Sequence, residues 1–342
     1  MREQVEELLA HPALARNRLP VAVDVYVGAQ DAARALEREV TEAFRAPPHA
    51  RELSPKWLYD ARGSELFDEI TRLPEYYPTR REREILQARA GEIAQASGAD
   101  TLIELGSGTS EKTRLLLDAF EARGGFERFV PFDVSESFLR DAAAAVAREY
   151  PGLRVHAVVG DFERHLPLLP RGGRRLVAFL GGTIGNFKPA ARARFFNELS
   201  ATLAPGDGLL LGTDLIKDRY RLHAAYNDSA GVTAEFNLNL LAVLNRELGA
   251  NFDLEAFEHL ARFDERERWI EMLLISRRAQ TVNLPRLGMQ VAFEQGERFR
   301  TEVSCKFDRD DVEGELTQAG LRLEHWWTDA AGDFALSLCV KP

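Results

Sequence analysis

The stretch Thr101-Leu-Ile-Glu-Leu-Gly-Ser-Gly-Thr-Ser-Glu-Lys112 decides the fold of this chain. An apolar run leads into a Gly-x-Gly turn that opens a helix, and a second apolar run ends in Asp133, 27 positions after Gly106. Glycine permits the tight turn and a close approach of backbone to ligand, and an aspartate at the next strand end can accept hydrogen bonds from a ribose diol. The stretch therefore predicts a nucleoside-binding βαβ unit.

Position 111 distinguishes between two kinds of nucleoside ligand. A dinucleotide fingerprint places a third glycine there, whereas this chain has Glu111. A carboxylate at a helix N-terminus would repel a pyrophosphate, so NAD is the weaker interpretation. The Glu-x-Gly-x-Gly pattern, followed by Asp133 and by Gly160-Asp-Phe162, resembles motif I and the next strand ends of class I methyltransferases. The resemblance implies S-adenosylmethionine (SAM) as the cosubstrate.

Composition and charge restrict the classes of function. The 342 residues include 44 Lys and Arg against 54 Asp and Glu, a formal net charge of -10. Binding to a nucleic-acid backbone needs a positive surface, so this balance argues against a nucleic-acid partner. The only two cysteines, Cys305 and Cys339, argue against a disulfide framework and a cysteine-rich metal site. We therefore expect no metal and a reduced, cytoplasmic setting.

Membrane and export signals are also missing from the sequence pattern. The first residues, Met-Arg-Glu-Gln-Val-Glu-Glu, are acidic and do not form the basic and apolar segments of a signal peptide. No segment approaches the roughly 18 uninterrupted apolar residues that a transmembrane helix needs. We expect a protein without a membrane partner.

Strand and helix patterns alternate between about residues 82 and 214, which predicts a parallel sheet with helices on both faces. The tail resumes this pattern, with a helix predicted over 310–319 and paired strands over 321–327 and 334–340. Residues 220–263 are predicted to be mainly helical. The fold class expected is α/β, a Rossmann-like class I methyltransferase sheet with a second, α+β domain.

The same patterns predict how the chain divides into domains. We expect residues 81–215 plus 306–342 to form the SAM-binding methyltransferase domain. The remaining blocks, 1–80 plus 216–305, lack the alternating pattern and are expected to combine into a substrate-binding domain. In such α/β sheets ligands bind beyond the carboxyl ends of the strands.

Five further strings are more specific than a generic methyltransferase requires. They are Pro55-Lys-Trp-Leu-Tyr-Asp60, Leu73-Pro-Glu-Tyr-Tyr-Pro-Thr-Arg80, Gly181-Gly-Thr-Ile-Gly-Asn186, Ala225-Tyr-Asn-Asp228 and Thr301-Glu-Val-Ser-Cys-Lys-Phe307. Together they resemble the L-histidine Nα-methyltransferase family of ergothioneine biosynthesis, in its actinobacterial form. The resemblance extends from about position 30 to the C-terminus, and the block up to about Val27 is expected to be an extension.

The resemblance implies a SAM site formed by Gly106, Lys112, Asp133, Asp161 and Phe162. Lys112 is expected to reach the methionyl carboxylate and Asp133 the ribose hydroxyl groups. Asp161 is expected to accept a hydrogen bond from the adenine amino group, and Phe162 to cover the base.

The resemblance also implies a substrate site. Its expected members are Tyr76, Asn186, Tyr226, Met272, Glu302, Val303 and Ser304, of which Tyr76 and Asn186, together with Tyr59, are expected to act on the reacting amine. Phenol and carboxamide groups can bind a carboxylate or an amine without adding a charge. Period-two alternation places Glu302 and Ser304 on one face of a strand, where both can contact one imidazole. Met272 is a candidate for the apolar wall.

The implied reaction is the trimethylation of the α-amino group of L-histidine by SAM, which gives hercynine in the first step of ergothioneine biosynthesis. We expect a monomer that acts on this small molecule. One alternative is an N-methyltransferase of another aromatic amino acid such as tryptophan, although an indole has little use for Glu302 with Ser304. A SAM-binding module without turnover is another, and the presence of Tyr76, Asn186 and Tyr226 argues against it.

Overall fold

The computed structural model describes residues 21–342. The acidic N-terminal residues and most of the expected extension lie outside this range. The strands are β1 (Ala22–Val25), β2 (Arg51–Glu52), β3 (Thr101–Leu105), β4 (Arg128–Asp133), β5 (Arg154–Val159), β6 (Arg175–Phe179), β7 (Gly208–Asp214), β8 (Phe257–Asp264), β9 (Trp269–Ser276), β10 (Gln280–Leu284), β11 (Met289–Phe293), β12 (Arg298–Cys305), β13 (Arg322–Thr328) and β14 (Phe334–Val340).

The α-helices alternate with the strands in the first two thirds of the described chain. They span Ala29–Arg45, Ala61–Arg72, Pro78–Ser97, Thr113–Arg123, Glu136–Glu149, Phe162–His165, Pro189–Thr202, Arg219–Ala225, Val232–Leu248 and Arg309–Gln318. Two short 3-10 turns, Pro55–Leu58 and Thr183–Asn186, also carry residues of interest.

The large sheet has eight strands in the order β1-β5-β4-β3-β6-β7-β14-β13. The pairs from β1 to β7 are parallel, and β14 and β13 are added antiparallel at one edge. The strand order reverses at β3, which has β4 on one side and β6 on the other. A crevice forms at such a reversal, beyond the carboxyl ends of the strands. The predicted Rossmann-like α/β class is confirmed.

The N-terminal strand differs from the predicted domain division. β1 pairs in parallel with β5, from Ala22 opposite His156 to Val25 opposite Val159. This segment therefore belongs to the large sheet, although it falls within the block 1–80 that we expected in the second domain. Pairing with a strand far along the chain satisfies the backbone groups of β1 and leaves no local sequence signal.

A second sheet has four strands in the order β2-β12-β9-β8, and β10 with β11 forms a separate hairpin. Strand β8 corrects the prediction of a mainly helical segment over 220–263, because that segment contains the helices Arg219–Ala225 and Val232–Leu248 and then ends in a strand. The second part of the chain is thus α+β in character.

Three apolar clusters form the core. Two of them lie on the large sheet, and neighbouring strand residues such as Leu102 and Ile103 alternate between them. The third joins residues 36–77 to residues 222–299. The two blocks flanking the methyltransferase pattern therefore share one core.

Within residues 21–342, we find no helix with the length and apolar character needed to cross a membrane.

Candidate active site

One large cavity opens between the carboxyl ends of the β-strands and the second sheet. Its volume is about 1040 Å³, at the upper end of the range for small-molecule sites. The cavity is lined by every residue that the sequence pointed to, namely Tyr59, Tyr76, Gly106, Lys112, Asp133, Asp161, Phe162, Asn186, Tyr226, Met272, Glu302, Val303 and Ser304. Residues predicted to bind two different molecules thus line one cavity.

The glycine turn after β3 forms one wall of the cavity. Gly106 and Gly108 have φ angles of 69° and 49°, in the left-handed region that favours glycine. Asp133, at the end of β4, accepts hydrogen bonds from the backbone N-H groups of Gly108 at 3.0 Å and Ser135 at 3.1 Å. Burial raises the pKa of Asp133, and these backbone donors lower it in part. The turn and the carboxylate therefore hold each other in place.

Glu104, the acidic residue of the strand that precedes the turn, faces the same wall. Its Oε1 accepts a hydrogen bond from the Thr113 hydroxyl group. Its Oε2 is buried and has no partner within the described part of the chain. Burial raises the pKa of Glu104 to about 8, against the lowering effects of Thr113 and Lys112. This carboxyl group is suited to a positively charged guest.

Lys112 is engaged by a carboxylate that the sequence did not reveal. Its Nζ donates to Glu82, which is fully buried on the helix Pro78–Ser97, and Glu82 also accepts from the Gly181 backbone N-H at 2.7 Å. Glu82 thus ties its helix both to Lys112, after the glycine turn, and to the loop after β6. An ammonium has three donors, so the predicted contact with a methionyl carboxylate remains open to Lys112.

Asp161 and Phe162 lie after β5, on the far side of the glycine turn. Asp161 caps the short helix Phe162–His165 through the Glu163 backbone N-H at 2.9 Å. Its other oxygen lies 3.4 Å from the Nζ atom of Lys56, on the 3-10 turn Pro55–Leu58. A Cβ atom on Gly106 would lie 3.9 Å from the Phe162 ring. The ring therefore stands beside the wall where a base would follow a ribose.

Three tyrosines line the opposite part of the cavity. Tyr59 packs edge-on against Phe67 and Phe236 at 5.3 and 5.4 Å between ring centroids, and Tyr76 packs against Tyr226 at 6.3 Å. Burial raises the pKa of all three phenols well above the usual value, and neighbouring groups including Glu302 raise it further. These hydroxyl groups therefore stay protonated at neutral pH.

Strand β12 aims the predicted imidazole-binding pair. Arg300 pairs with Leu273 but Glu302 pairs with Met272, so Thr301 is an extra residue in a β-bulge. The Thr301 hydroxyl group lies 3.1 Å from the Met272 carbonyl oxygen and 2.5 Å from the amide oxygen of Asn237. The bulge turns the strand just before Glu302, which then faces the cavity beside Met272.

Glu302 is a buried carboxyl group. Burial raises its pKa to about 7, and the positive charge of Lys306 lowers it in part. Glu302 is therefore divided between its protonated and ionised forms near neutral pH, and its pKa is close to the ordinary pKa of an imidazole. A ring N-H at this position would favour the ionised form.

Ser304 and Tyr226 form part of a buried polar network. Their hydroxyl oxygens are 2.7 Å apart, and Lys306 Nζ lies 2.7 Å from Ser304 Oγ and 3.1 Å from the Tyr226 hydroxyl oxygen. Lys306 also pairs with Asp214 at 2.9 Å. Neither Lys306 nor Asp214 was expected from the sequence to take part in the site.

Asn186 is placed by the 3-10 turn Thr183–Asn186, which lies against β12. A Cβ atom on Gly185 would lie only 3.0 Å from the Cys305 carbonyl oxygen, so this close approach favours glycine. The turn is thereby held to the strand that carries Glu302 and Ser304. Asn186 reaches the cavity between the two predicted sites.

Sequence reasoning missed Glu82, Lys56, Asp214 and Lys306, and it quoted Glu104 without assigning it a role. A signal for Lys306 was present, because the alternation that pairs Glu302 with Ser304 continues two residues further. Glu82 and Asp214 gave no such signal, since a carboxylate in a helix or at a strand end is usually solvated.

The donor set of the first wall fits SAM. The unpartnered Oε2 of Glu104 suits the ammonium group of the methionyl moiety, and the held carboxylate of Asp133 suits a ribose diol. The glycine turn leaves room for a ligand against the backbone.

Known proteins that are similar to this chain include histidine methyltransferases. Residues 36–341 match the family model described as histidine-specific methyltransferase, SAM-dependent. The histidine N-alpha-methyltransferase of Mycolicibacterium smegmatis is 59% identical over 92% of this chain and 98% of that protein. The protein of the same name from Mycobacterium tuberculosis is 56% identical over 94% of this chain and 99% of that protein.

More distant similarity extends to fungi. Ergothioneine biosynthesis protein 1 of Neurospora crassa is 31% identical over 90% of this chain, which corresponds to 35% of that longer protein. The match to the family model spans nearly the whole chain, and the two bacterial relatives are matched along almost their entire length. The chain belongs to the family of histidine-specific, SAM-dependent methyltransferases.

Proposed function

We propose that this protein transfers methyl groups from SAM to the α-amino group of L-histidine until hercynine is formed, as the first step of ergothioneine biosynthesis. One observation carries the proposal. Glu302 and Ser304 line the same cavity as Glu104 and Asp133, which supports an imidazole and SAM bound side by side. The family and the bacterial relatives support the same substrate.

The chemistry demands little more than positioning. When bound, SAM supplies a methyl group on a positively charged sulfur atom. The protein must hold an uncharged amine in line with that group, and enclosure in a cavity lowers the pKa of an amine. Tyr59, Tyr76 and Asn186 are suited to orient the nitrogen. Because the phenols are kept protonated, we assign them hydrogen bonding rather than proton abstraction.

The number of transfers follows from the nitrogen atom itself. Each methylation leaves a lone pair after a proton is lost, until the third gives a quaternary centre. No further transfer is then available. The substrate carboxylate would be held by Asn186 and Tyr226, which bind it without adding a charge.

The ring site favours histidine over tryptophan. An imidazole has two ring nitrogens for Glu302 and Ser304, whereas an indole has a single N-H. Tryptophan would leave one buried polar group unpaired, which costs about 1–3 kcal/mol.

We further propose that residues 81–215 plus 306–342, together with β1, bind SAM and that the remaining described residues select the substrate. The third apolar cluster, which joins residues 36–77 to residues 222–299, supports this division. The cytoplasmic location, the monomeric state and the absence of a metal stay predictions from the sequence.

Mass spectrometry tests the substrate. The purified protein is incubated with SAM and each of the twenty amino acids, and we expect histidine to gain three methyl groups and the others none. Methylation of tryptophan in preference to histidine would overturn the assignment. The variant Glu302→Ala in the same series should lose most turnover of histidine, which ties the product to this cavity.

A further inference from the structure

Beneath the proposed substrate site lies a lysine that the reaction as described does not use. The side chain of Lys306 is completely buried, and that of its partner Asp214 is 5% exposed. Buried lysines are rare in proteins and need a full set of partners. The position of Lys306, directly behind Ser304 and Tyr226, therefore calls for a physical explanation.

Counting hydrogens shows what Lys306 does to its neighbours. An ammonium has three N-H donors and no acceptor. Its three neighbours, the Asp214 carboxylate and the hydroxyl oxygens of Ser304 and Tyr226, lie 2.9, 2.7 and 3.1 Å away. Both hydroxyl oxygens must then accept from Lys306. Neither can donate its own proton back to the lysine.

The two hydroxyl groups also bond to each other. They are 2.7 Å apart, so one O-H donates to the other oxygen. Of the two hydroxyl protons, one is used in this bond and one remains. The pair therefore offers a single O-H donor to the cavity, and its direction is linked to the bond between Ser304 and Tyr226.

Asp214, the carboxylate that pairs with Lys306, stays ionised despite its burial. Although burial favours the neutral acid, the charges of Lys306 and Lys217 hold the pKa of Asp214 below its usual value. Asp214 also accepts from the Tyr77 hydroxyl group at 2.9 Å and pairs with Lys217 at 2.5 Å. Asp214, at the end of β7, thus fixes the lysine to the large sheet.

From this geometry we infer that Lys306 is a positioning residue for the amino-acid substrate. Anchored by Asp214, it makes Ser304 and Tyr226 a coupled unit that presents one O-H donor, to the substrate carboxylate or to the ring. When the donor goes to the carboxylate, Ser304 can only accept from the ring, and with Glu302 accepting from the other nitrogen the imidazole is held as its doubly protonated cation. This inference rests on the proposed function and names a residue that the proposal does not need.

The chain offers a matched control for a test. Lys306→Met removes the fully buried lysine that pairs with Asp214, and Lys217→Met removes the less deeply buried one. Each variant leaves Asp214 paired with the other lysine. Lys217 contacts Tyr77 and the Leu215 carbonyl oxygen rather than the two hydroxyl groups. A general effect of losing a buried charge should appear equally in both variants.

The measurement is steady-state kinetics with histidine, together with the Kd for SAM from calorimetry. Loss of hydrogen bonds to a charged group should raise the KM for histidine about tenfold in Lys306→Met, with kcat changed less than about threefold. The Kd for SAM should stay unchanged, and Lys217→Met should keep the KM within about twofold of the wild type. Equal changes in both variants, or no change in either, would overturn the positioning role.

A second measurement tests the coupling of the two hydroxyl groups, on which the inference depends, if Lys306→Met does not fold. Tyr226→Phe, Ser304→Ala and the double variant keep the lysine and form a double-mutant cycle for histidine binding. A coupled unit predicts a departure from additivity of at least about threefold in Kd. Additive effects would refute the inference. Absence of histidine turnover in the wild type would instead refute the proposed function, and this inference with it.

Discussion

The two halves of the cavity are assembled in different ways. The half that we propose to bind SAM, the SAM half, consists of the ends of β3, β4 and β5, three strands that are adjacent in the large sheet. The substrate half combines Tyr59, Tyr76 and Tyr226 with strand β12 of the second sheet, so its residues come from opposite ends of the chain. The first half follows from local rules of the fold. The second exists only once distant segments have packed.

The two halves of the cavity nevertheless have one feature in common. Each presents a buried carboxyl group whose pKa is raised by burial, to about 8 for Glu104 and about 7 for Glu302. A carboxyl group in this state gains most from a guest that brings a positive charge or an N-H donor. The ammonium of SAM and the imidazole of histidine are such guests.

The largest effect we predict is a dependence of stability on pH. Both carboxyl groups have pKa values raised above the ordinary 4.5. Below pH 4.5 both groups are protonated in the folded and the unfolded chain, so they do not lower the free energy of unfolding there. As the pH rises from 4.5 towards 7–8, these two carboxyl groups lose their protons in the unfolded chain but keep them in the folded chain. The free energy of unfolding therefore falls. For Glu302 the loss is up to about 3 kcal/mol at pH 8.

Thermal unfolding between pH 4.5 and 8.5 measures this effect. Glu302→Gln should remove about half of the loss of stability between pH 4.5 and 7, and the loss that remains, which continues to about pH 8, belongs mainly to Glu104. SAM should reduce the loss of stability that belongs to Glu104, and histidine the loss that belongs to Glu302. Identical pH profiles for the wild type and Glu302→Gln would show that the pKa of Glu302 is not raised in the folded protein.

The next effect separates the two halves directly. Glu302→Ala removes a charge-assisted hydrogen bond to the ring, so we expect kcat/KM for histidine to fall about thirtyfold to a hundredfold. The Kd for SAM should change less than about twofold, because Glu302 lies in the other half of the cavity. Calorimetry with SAM and kinetics with histidine give both numbers. Equal losses in the two would mean that the halves are not independent.

This contrast explains what could be predicted from the sequence. Gly106, Asp133 and Asp161 follow three apolar strands, and parallel strands end at one edge, so their meeting was foreseeable. Glu302 and Ser304, which line the cavity, were predicted to share one site because strand alternation and a family resemblance agreed. Lys306 was not predicted, although the alternation continues to it, because a lysine is expected to be exposed and only tertiary packing shows that Asp214 anchors it.

Strand β8 shows a different limit. Phe257, Leu260 and Ala261 have the spacing of one face of a helix, and the segment is rich in good helix formers. The segment instead pairs with β9 at the edge of the second sheet. An edge strand that is buried at only a few positions lacks clear alternation, so pairing overrides its helical pattern.

A smaller effect tests the SAM half. In Asp133→Asn the ribose would lose a charged acceptor, and we expect the Kd for SAM to rise about tenfold. Asp100→Asn is a matched control, because Asp100 also accepts from a backbone N-H, that of Arg174 at 2.9 Å, but lies at the amino end of β3 and does not line the cavity. That control should leave the Kd unchanged. Equal affinity in Asp133→Asn and the wild type would remove the ribose role.

The smallest effect concerns the link between the halves. Lys56, beside Tyr59, pairs with Glu39 at 2.7 Å and reaches Asp161 at 3.4 Å, so it joins the substrate half to the SAM half. Burial lowers the pKa of Lys56, but Asp161 and Glu39 outweigh this and keep it charged. Because the contact with Asp161 is long and partly solvated, Lys56→Met should raise the Kd for SAM only about twofold to threefold.

The control for this link is Lys341→Met, which removes a lysine bonded to Ser200 and far from the cavity. It should leave the Kd for SAM as in the wild type. An increase above about tenfold in Lys56→Met would mean that the turn Pro55–Leu58 is part of the SAM site itself, because a solvated ion pair supplies less than that. The two halves would then be one structural unit, and the separate effects expected for Glu302→Ala and Asp133→Asn should merge.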